Sequence, residues 1–276
     1  MSGNPGGDTL GALFAAQRMA FDAERNPSFA VRRDRLDRLA ALVDANEAEL
    51  VAAIAADFGV RPAQETRLAE LFMVTAGIRH ARRNLRRWMR SRSVPTPLYL
   101  RPGGSRIVRQ PRGVAGVISP WNYPVQLALL PIVAALAAGN RVMLKPSELT
   151  PTTSDLLERI VDSRFAADEF AVVTGGAQLG QAFARLPFDH LFFTGSTRVG
   201  REIARAAAEN LTPLTLELGG KSPALIHADA DVEALAPRLA VGKLLNAGQT
   251  CIAPDYVLAP ADRVDALVKA LASSVA

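Results

Sequence analysis

The chain has 276 residues, of which 49% are hydrophobic and 21% charged, with a net charge of +5 and a single cysteine. This length and composition exclude a disordered chain and suit one large domain, or one domain with part of a second. The most apolar stretch, residues 125–139, is too short to span a bilayer, and the N-terminus has no secretory-signal pattern. Because a lone cysteine suits a reducing compartment, we expect a cytoplasmic protein without a membrane partner.

Much of the positive charge lies in one stretch of arginines. Their spacing of three and four residues places most of them on one face of a helix, at Arg79, Arg82, Arg83, Arg86, Arg87, Arg90 and Arg92. Such a face binds phosphates in some proteins, but no nucleic-acid recognition motif accompanies it here. We therefore expect a solvated face or a contact with an acidic neighbour, and no nucleic-acid partner.

The first third of the chain is predicted to be helical. Apolar residues recur at helical spacing through residues 31–43, a second helix is expected over 46–58 with its end at Gly59, and a third over 62–90. Prolines at 95, 97, 102 and 111 then interrupt the pattern. Between them, residues 98–100 and 106–109 are predicted to be short strands of a β-hairpin. Residues 1–97 are therefore assigned to N-terminal helices and 98–113 to the hairpin.

After Pro111 short apolar strands alternate with helices. Strands are predicted at residues 114–118, 141–144, 170–173, 190–193, 214–218 and 224–226, and helices at 124–138, 152–162, 177–184 and 196–209. This alternation predicts an α/β fold with a doubly wound parallel sheet, of the kind that binds dinucleotides, over residues 114–222. Ligands of such sheets bind beyond the carboxyl ends of the strands.

Two polar segments follow the first two predicted strands of this sheet. Asn122 lies between Pro120 and Pro124, which fix the backbone and hold its side-chain amide in a position suited to a developing oxyanion. The alternative is a turn framed by prolines, in which Trp121 is a packing residue. Lys145 and Glu148 follow the second strand and suit ribose hydroxyls, although they are equally consistent with a surface pair.

The glycine-rich turn of residues 195–200 precedes a predicted helix. Gly195 and Gly200 would let a phosphate approach the backbone at the N-terminus of that helix, close to Ser196 and Thr197. The spacing is neither the usual dinucleotide fingerprint nor a P-loop, so it is a weak signal by itself.

Two further residues have two interpretations each. Glu217 lies in an apolar strand before Gly219 and Gly220, and is either a general base with a raised pKa or an outward-facing strand residue. Cys251 has no second cysteine for a disulfide and no ligand cluster for a metal, so no metal is expected. It is either a small buried side chain or a reactive thiol.

Taken together and in their order along the chain, these segments resemble the aldehyde dehydrogenase superfamily. The matching runs are residues 116–124, 139–148, 192–200, 216–223 and 246–256. The run around Cys251 is similar to the class 3 branch of the superfamily, and most closely to bacterial coniferyl-aldehyde dehydrogenases. The resemblance covers the chain from about residue 30 onward.

The resemblance implies an NAD- or NADP-dependent oxidation of an aldehyde to its carboxylic acid. Cys251 would attack the aldehyde as a thiolate, Asn122 and the Cys251 backbone N–H would hold the oxyanion, and Glu217 would activate water to release the acid. Cofactor contacts would come from Trp121, Lys145, Glu148, Gly195, Ser196, Thr197 and Gly200. An aromatic or medium-chain aldehyde, in particular one like coniferyl aldehyde, is the implied substrate, and a homodimer formed through the hairpin is the implied assembly.

The chain lacks the family's later segment, whose glutamate holds the nicotinamide ribose. The resemblance therefore implies that residues 223–276 are the start of a second α/β domain, the catalytic domain, which is incomplete here, with strand edges and apolar surface left uncovered. This leaves an alternative function, a non-catalytic dinucleotide-binding remnant of an aldehyde dehydrogenase.

Overall fold

The computed structural model describes residues 5–275 and begins with a series of helices. They are α1 (Pro5–Ala23), α2 (Phe29–Ala45), α3 (Glu47–Phe58), α4 (Ala63–Thr66) and α5 (Phe72–Met89), with a π-helical turn at Arg67–Leu71 between the last two. The Ser28 hydroxyl caps α2 by accepting a hydrogen bond from the Val31 N–H at 3.3 Å. Gly59, with a φ of 78°, ends α3 at the predicted position. The predicted helices of this region are confirmed.

A short antiparallel arm follows α5. Strand β1 (Arg92–Val94) pairs with β2 (Ser105–Ile107). The predicted strand at residues 98–100 is wrong, because Leu98–Leu100 forms a 3-10 turn between Pro97 and Pro102. Pro97 accepts a hydrogen bond from the Leu100 N–H at 3.0 Å, which closes the turn locally instead of pairing it across a hairpin. The arm therefore begins at Arg92 instead of at residue 98.

The centre of the chain forms a five-stranded sheet with helices between its strands. The strands are β3 (Val114–Ile118), β4 (Arg141–Lys145), β5 (Phe170–Val172), β6 (His190–Gly195) and β7 (Leu214–Leu218), in the order β5-β4-β3-β6-β7. The helices are α6 (Gln126–Ala138), α7 (Pro151–Asp162), α8 (Ala177–Ala184) and α9 (Thr197–Ala208). Strand β3 pairs in parallel with β4 and β6, and β4 with β5. The predicted doubly wound fold is confirmed, with strand order reversing at β3.

The N-terminal helices and the sheet share one hydrophobic core. All five residues of β3 and all five of β4 are buried, which explains why these strands read as continuous runs with little polar alternation. Leu36, Leu39 and Leu42 from α2 pack into the same core as Leu129 and Ile132 from α6. This packing fixes α6, and therefore the loop before it, relative to the sheet.

The chain divides into two compact units. The first comprises the chain up to Thr194 and Arg198–Leu216, and the second comprises Gly195–Thr197 and the chain from Glu217 onward.

The second unit is a small α/β arrangement. Strand β8 (Ser222–Leu225), α10 (Val232–Leu244), a 3-10 turn (Leu245–Gly248), strand β9 (Pro254–Leu258) and α11 (Val264–Val275) follow one another. The two strands pair in parallel, and Ile226, Val232 and Leu267 form the core between strands and helices. Leu225 and Ile252 are 74% and 77% exposed, in agreement with the prediction of uncovered apolar surface in this part of the chain.

Candidate functional site

The segments that follow β3 and β4 lie side by side at the carboxyl edge of the sheet. The strand register places Ile118 opposite Lys145, and the Ser119 N–H donates a hydrogen bond to the Lys145 carbonyl at 3.1 Å. The structure therefore places the beginning of the segment that carries Asn122 beside the end of β4, where the segment that carries Lys145 and Glu148 begins. Ligands of doubly wound sheets bind at this edge.

Trp121 and Asn122 lie in the loop between β3 and α6. Trp121 is 37% exposed, and its ring centre lies 6.1 Å from that of Phe58, so the indole packs on one side and faces solvent on the other. Asn122 is half-buried, and its backbone carbonyl accepts a hydrogen bond from Arg61 at 3.2 Å. Helix α6 begins at Gln126, two residues later than predicted, because the Glu70 carboxylate accepts hydrogen bonds from the N–H groups of Val125 and Gln126.

Lys145 and Glu148 form an ion pair at the end of β4. The Lys145 side chain is 3% exposed and its Nζ lies 2.5 Å from Glu148 Oε2, whereas the Glu148 side chain is 44% exposed. Partial burial raises the pKa of Glu148, but the hydrogen bond and attraction from Lys145 outweigh burial and hold the pKa below its ordinary value. The burial of Lys145 counts against an ordinary surface pair, and the arrangement presents a carboxylate that hydroxyl groups can reach.

The glycine-rich turn follows β6. Gly195 is the last residue of β6, Thr197 is the first of α9, and Gly200 is buried in the first turn of α9, which has no acidic residue there. The absence of an acidic side chain in that turn leaves the positive end of the helix dipole available to an anion. Gly195, Ser196 and Thr197 belong to the second unit and Gly200 to the first.

The second unit brings Gly220, the second of the two glycines after Glu217, close to Cys251. A Cβ atom on Gly220 would lie 2.6 Å from the Cys251 carbonyl oxygen, so only glycine fits there without displacing the backbone. Cys251 is exposed, and the interpretation of it as a small buried side chain is wrong. Glu217 is exposed as well, which matches the outward-facing alternative and not a carboxylate buried in an apolar strand.

The backbone just before Cys251 is strained. Asn246 and Ala247 have φ values of 51° and 55°, and Gly248 follows with 78°. A left-handed conformation costs about 1–2 kcal/mol for a residue with a Cβ, and such residues concentrate at functional sites. Nothing in the residue type of Ala247 could have predicted this conformation.

Sequence reasoning also missed Arg61 and Glu70, which hold the loop after β3. Their side chains are 2% and 0% exposed. Burial raises the pKa of Glu70 above its ordinary value, while Arg61 and two backbone N–H groups oppose that rise. Glu70 shares the buried face of its helical stretch with Thr66 and Val74, four residues to either side, but two of these three residues are polar and form no apolar pattern that would have marked this face in the sequence.

Within residues 5–275, no three His, Cys, Asp or Glu side chains are grouped as metal ligands. None of the helices described there combines the length and the apolar character needed to cross a membrane.

Known proteins resemble this chain along nearly its whole length. The sequence model of the aldehyde dehydrogenase family matches residues 7–276. A probable coniferyl aldehyde dehydrogenase of Pseudomonas aeruginosa is 49% identical over 259 residues, which are 94% of this chain and 54% of that protein. The chain therefore spans about half the length of the curated relatives it matches.

Solved structures agree with this match. Staphylococcus aureus AldH in a substrate-bound state superposes with a TM-score of 0.93 at 36% identity, covering 96% of this chain and 58% of that one. A Mycobacterium tuberculosis aldehyde dehydrogenase complexed with NAD+ gives a TM-score of 0.86 at 35% identity, covering 98% and 56%. The family match spans all the segments described above, and the chain belongs to the aldehyde dehydrogenase family.

Proposed function

We propose that this chain carries the nucleophile and most of the cofactor-binding residues of an enzyme that oxidises an aldehyde to its carboxylic acid with NAD or NADP. The observation that carries the proposal is the close approach of Gly220 to the Cys251 carbonyl, which places the segment after Glu217 beside the main chain of an exposed cysteine. Membership of the aldehyde dehydrogenase family supports the same reaction.

The residues present fit a dinucleotide. The buried Lys145 ammonium and the accessible Glu148 carboxylate supply a donor and an acceptor for the adenosine ribose hydroxyls. Trp121 offers a partly exposed ring, and the turn formed by Gly195, Ser196, Thr197 and Gly200 offers backbone approach for the pyrophosphate. Bound NAD supplies the hydride acceptor of the reaction. We propose residues 114–222 as the dinucleotide-binding domain and residues 223–276 as the start of the catalytic domain, whereas the compact units of the chain divide at Glu217.

Cys251 is the nucleophile of the proposed reaction. Its thiolate forms a bond to the aldehyde carbon, and the carbonyl π electrons move to oxygen to give a hemithioacetal oxyanion. The Asn122 side-chain amide and the Cys251 backbone N–H donate hydrogen bonds to that oxyanion. When the oxyanion collapses, hydride leaves the same carbon, and a thioester remains on Cys251.

Glu217 is the general base of the second half-reaction. It removes a proton from water as the water oxygen attacks the thioester carbon, and the Cys251 thiolate leaves. Its exposure is compatible with this role, because a base that activates water needs access to it.

Replacing Glu217 by glutamine is expected to slow acyl release more than hydride transfer. A general base contributes about 10²–10⁴-fold, so we expect a steady-state rate at least about 100-fold lower, with one equivalent of NADH still formed in the first turnover. Rapid mixing at 340 nm measures both quantities. Glu233→Gln, a change at an exposed glutamate of α10 in the same unit, is the matched control and should leave both unchanged. Loss of the first-turnover burst together with the steady-state rate would contradict the assigned role.

Glu148→Gln is expected to shift cofactor preference toward NADP. The carboxylate repels a 2′-phosphate and accepts hydrogen bonds from ribose hydroxyls, so its removal should weaken NAD and strengthen NADP binding, changing the ratio of their Kd values at least about fivefold. Quenching of tryptophan fluorescence measures both constants. Glu49→Gln removes a carboxylate from the exposed pair with Arg159 and should leave the ratio unchanged. An unchanged ratio in Glu148→Gln would remove Glu148 from the cofactor site.

An aromatic aldehyde such as coniferyl aldehyde is the proposed substrate, supported by the named relatives.

We also propose that a homodimer forms through the arm of residues 92–113, because its Leu98 and Tyr99 are 80% and 83% exposed. A single cysteine is compatible with a cytoplasmic location.

The proposal is tested by following absorbance at 340 nm with coniferyl aldehyde or hexanal and either cofactor, beside a binding titration of NAD and NADP. Turnover of the aromatic aldehyde supports the full proposal. Cofactor binding without turnover would favour the alternative, a non-catalytic dinucleotide-binding chain.

A further inference from the structure

The loop that carries Asn122 is held by an ion pair from the N-terminal helices. Arg61 lies before α4 and Glu70 lies in the π-helical turn, with Arg61 Nη1 2.8 Å from Glu70 Oε1. Both side chains are almost completely buried, at 2% and 0% exposure. Buried ions need further hydrogen bonds to offset the loss of water. The partners that Arg61 and Glu70 use for this purpose include main-chain atoms of the loop.

The pair contacts the loop and the first residue of α6 at four points. Glu70 Oε2 accepts hydrogen bonds from the N–H groups of Val125 at 2.7 Å and Gln126 at 3.0 Å. Arg61 Nη1 donates to the Asn122 carbonyl at 3.2 Å, and the Arg61 guanidinium carbon lies 4.9 Å from the centre of the Tyr123 ring. Glu70 therefore holds the main chain where the loop enters α6, through two N–H groups. Arg61 holds it a few residues earlier, through the Asn122 carbonyl and the Tyr123 ring.

Resting on the function proposed above, we infer that Arg61 and Glu70 are positioning residues for the oxyanion donor. They fix the main chain of Asn122, and the main chain fixes where its side-chain amide is presented. A donor that is held in place before the reaction stabilises a developing charge more than one that must reorganise. Neither side chain can reach a substrate directly, because both are buried, so their effect on the rate passes through Asn122.

A second buried ion pair provides a control that distinguishes positioning of Asn122 from a general effect on the stability of the fold. Arg35 is 2% exposed and pairs at 2.7 Å with Glu169, which is 14% exposed. Glu169 directly precedes β5, and its carbonyl accepts the Val142 N–H near the amino end of β4. This pair lies at the edge of the sheet opposite the Asn122 loop, so Glu169→Gln is a matched control for Glu70→Gln.

The test is a double-mutant cycle of Glu70→Gln with Asn122→Ala, scored by kcat for NADH formation. Glu70→Gln alone is expected to lower kcat about tenfold, with the Kd for NAD within twofold of the unchanged chain. In the Asn122→Ala background the same change should lower kcat less than twofold, because the residue through which it acts is gone. Glu169→Gln should leave kcat within twofold while lowering the melting temperature. Equal losses from Glu70→Gln in both backgrounds would overturn the inference.

A second readout does not depend on turnover. In a Trp88→Phe background Trp121 is the sole tryptophan and reports on the loop. Glu70→Gln is expected to increase the acrylamide quenching constant of Trp121 about twofold, and Glu169→Gln to leave it unchanged. Arg61→Lys, which keeps the charge opposite Glu70 on a shorter side chain, serves if Glu70→Gln does not fold, and should show a smaller increase. If the unchanged chain has no turnover the proposed function fails, whereas quenching that does not exceed the Glu169→Gln control overturns the positioning role.

Discussion

Cys251→Ala is expected to abolish aldehyde-dependent NADH formation while leaving NAD binding within about twofold. A covalent mechanism has no route to the thioester without the nucleophile, so we expect a loss of at least about 10⁴-fold in kcat. Because Cys251 is exposed, its removal should leave the core and the melting temperature nearly unchanged. Absorbance at 340 nm and a fluorescence titration with NAD measure the two quantities.

The single cysteine makes a chemical control possible. Any thiol reagent that labels the chain labels Cys251, so inactivation by iodoacetamide should follow labelling with a stoichiometry of one. Cys251→Ser keeps the size of the side chain but not the acidity of the thiol, and should be nearly as inactive as the alanine variant. Turnover that survives complete labelling would contradict the assignment of Cys251 as nucleophile.

The doubly wound sheet was predictable because its central strands β3 and β4 are buried along their whole length. Strand β3 has the predicted bounds, since an unbroken apolar run of about five residues between helical stretches has few other interpretations. Strand β7 also has the predicted bounds, although it contains Thr215 and Glu217 and is partly exposed. Gly59 marked the end of α3, and the prolines after residue 94 marked the end of the helical region, because both residue types restrict the conformation of their own backbone. Local signals did not always suffice, since residues 98–100 form a locally closed 3-10 turn and not the predicted strand.

Other errors arise where distant residues decide the structure. Helix α6 begins at Gln126 because Glu70, more than fifty positions earlier in the chain, accepts its first N–H groups. The strained conformation of Ala247 has no signature in its residue type. The candidate site residues were found from ordered motifs, but the buried pair of Arg61 and Glu70 becomes visible only when the fold places them beneath the Asn122 loop.

The close approach of Gly220 to Cys251 leads to the second large expected effect. In Gly220→Ala the new Cβ would lie 2.6 Å from the Cys251 carbonyl oxygen, well inside the van der Waals distance, and the opposing atom is main chain. The backbone of Cys251 therefore has to move. Since a misplacement of about 1 Å at a reacting centre costs about 10²-fold, we expect kcat/KM to fall about 100-fold. Steady-state kinetics with coniferyl aldehyde measures this loss.

Gly219→Ala is the matched control, because a Cβ on Gly219 has nothing within 4 Å and the residue is adjacent in sequence. Its kcat/KM should stay within about threefold of the unchanged chain. The rate of Cys251 alkylation gives a readout independent of turnover: displacement of the thiol should change it in Gly220→Ala and not in Gly219→Ala. Equal effects of the two alanines would mean that the glycines matter for another reason than the distance to Cys251. A normal Gly220→Ala enzyme would show that the Cys251 backbone can move without loss, and that the strained turn before it does not fix the position of the nucleophile.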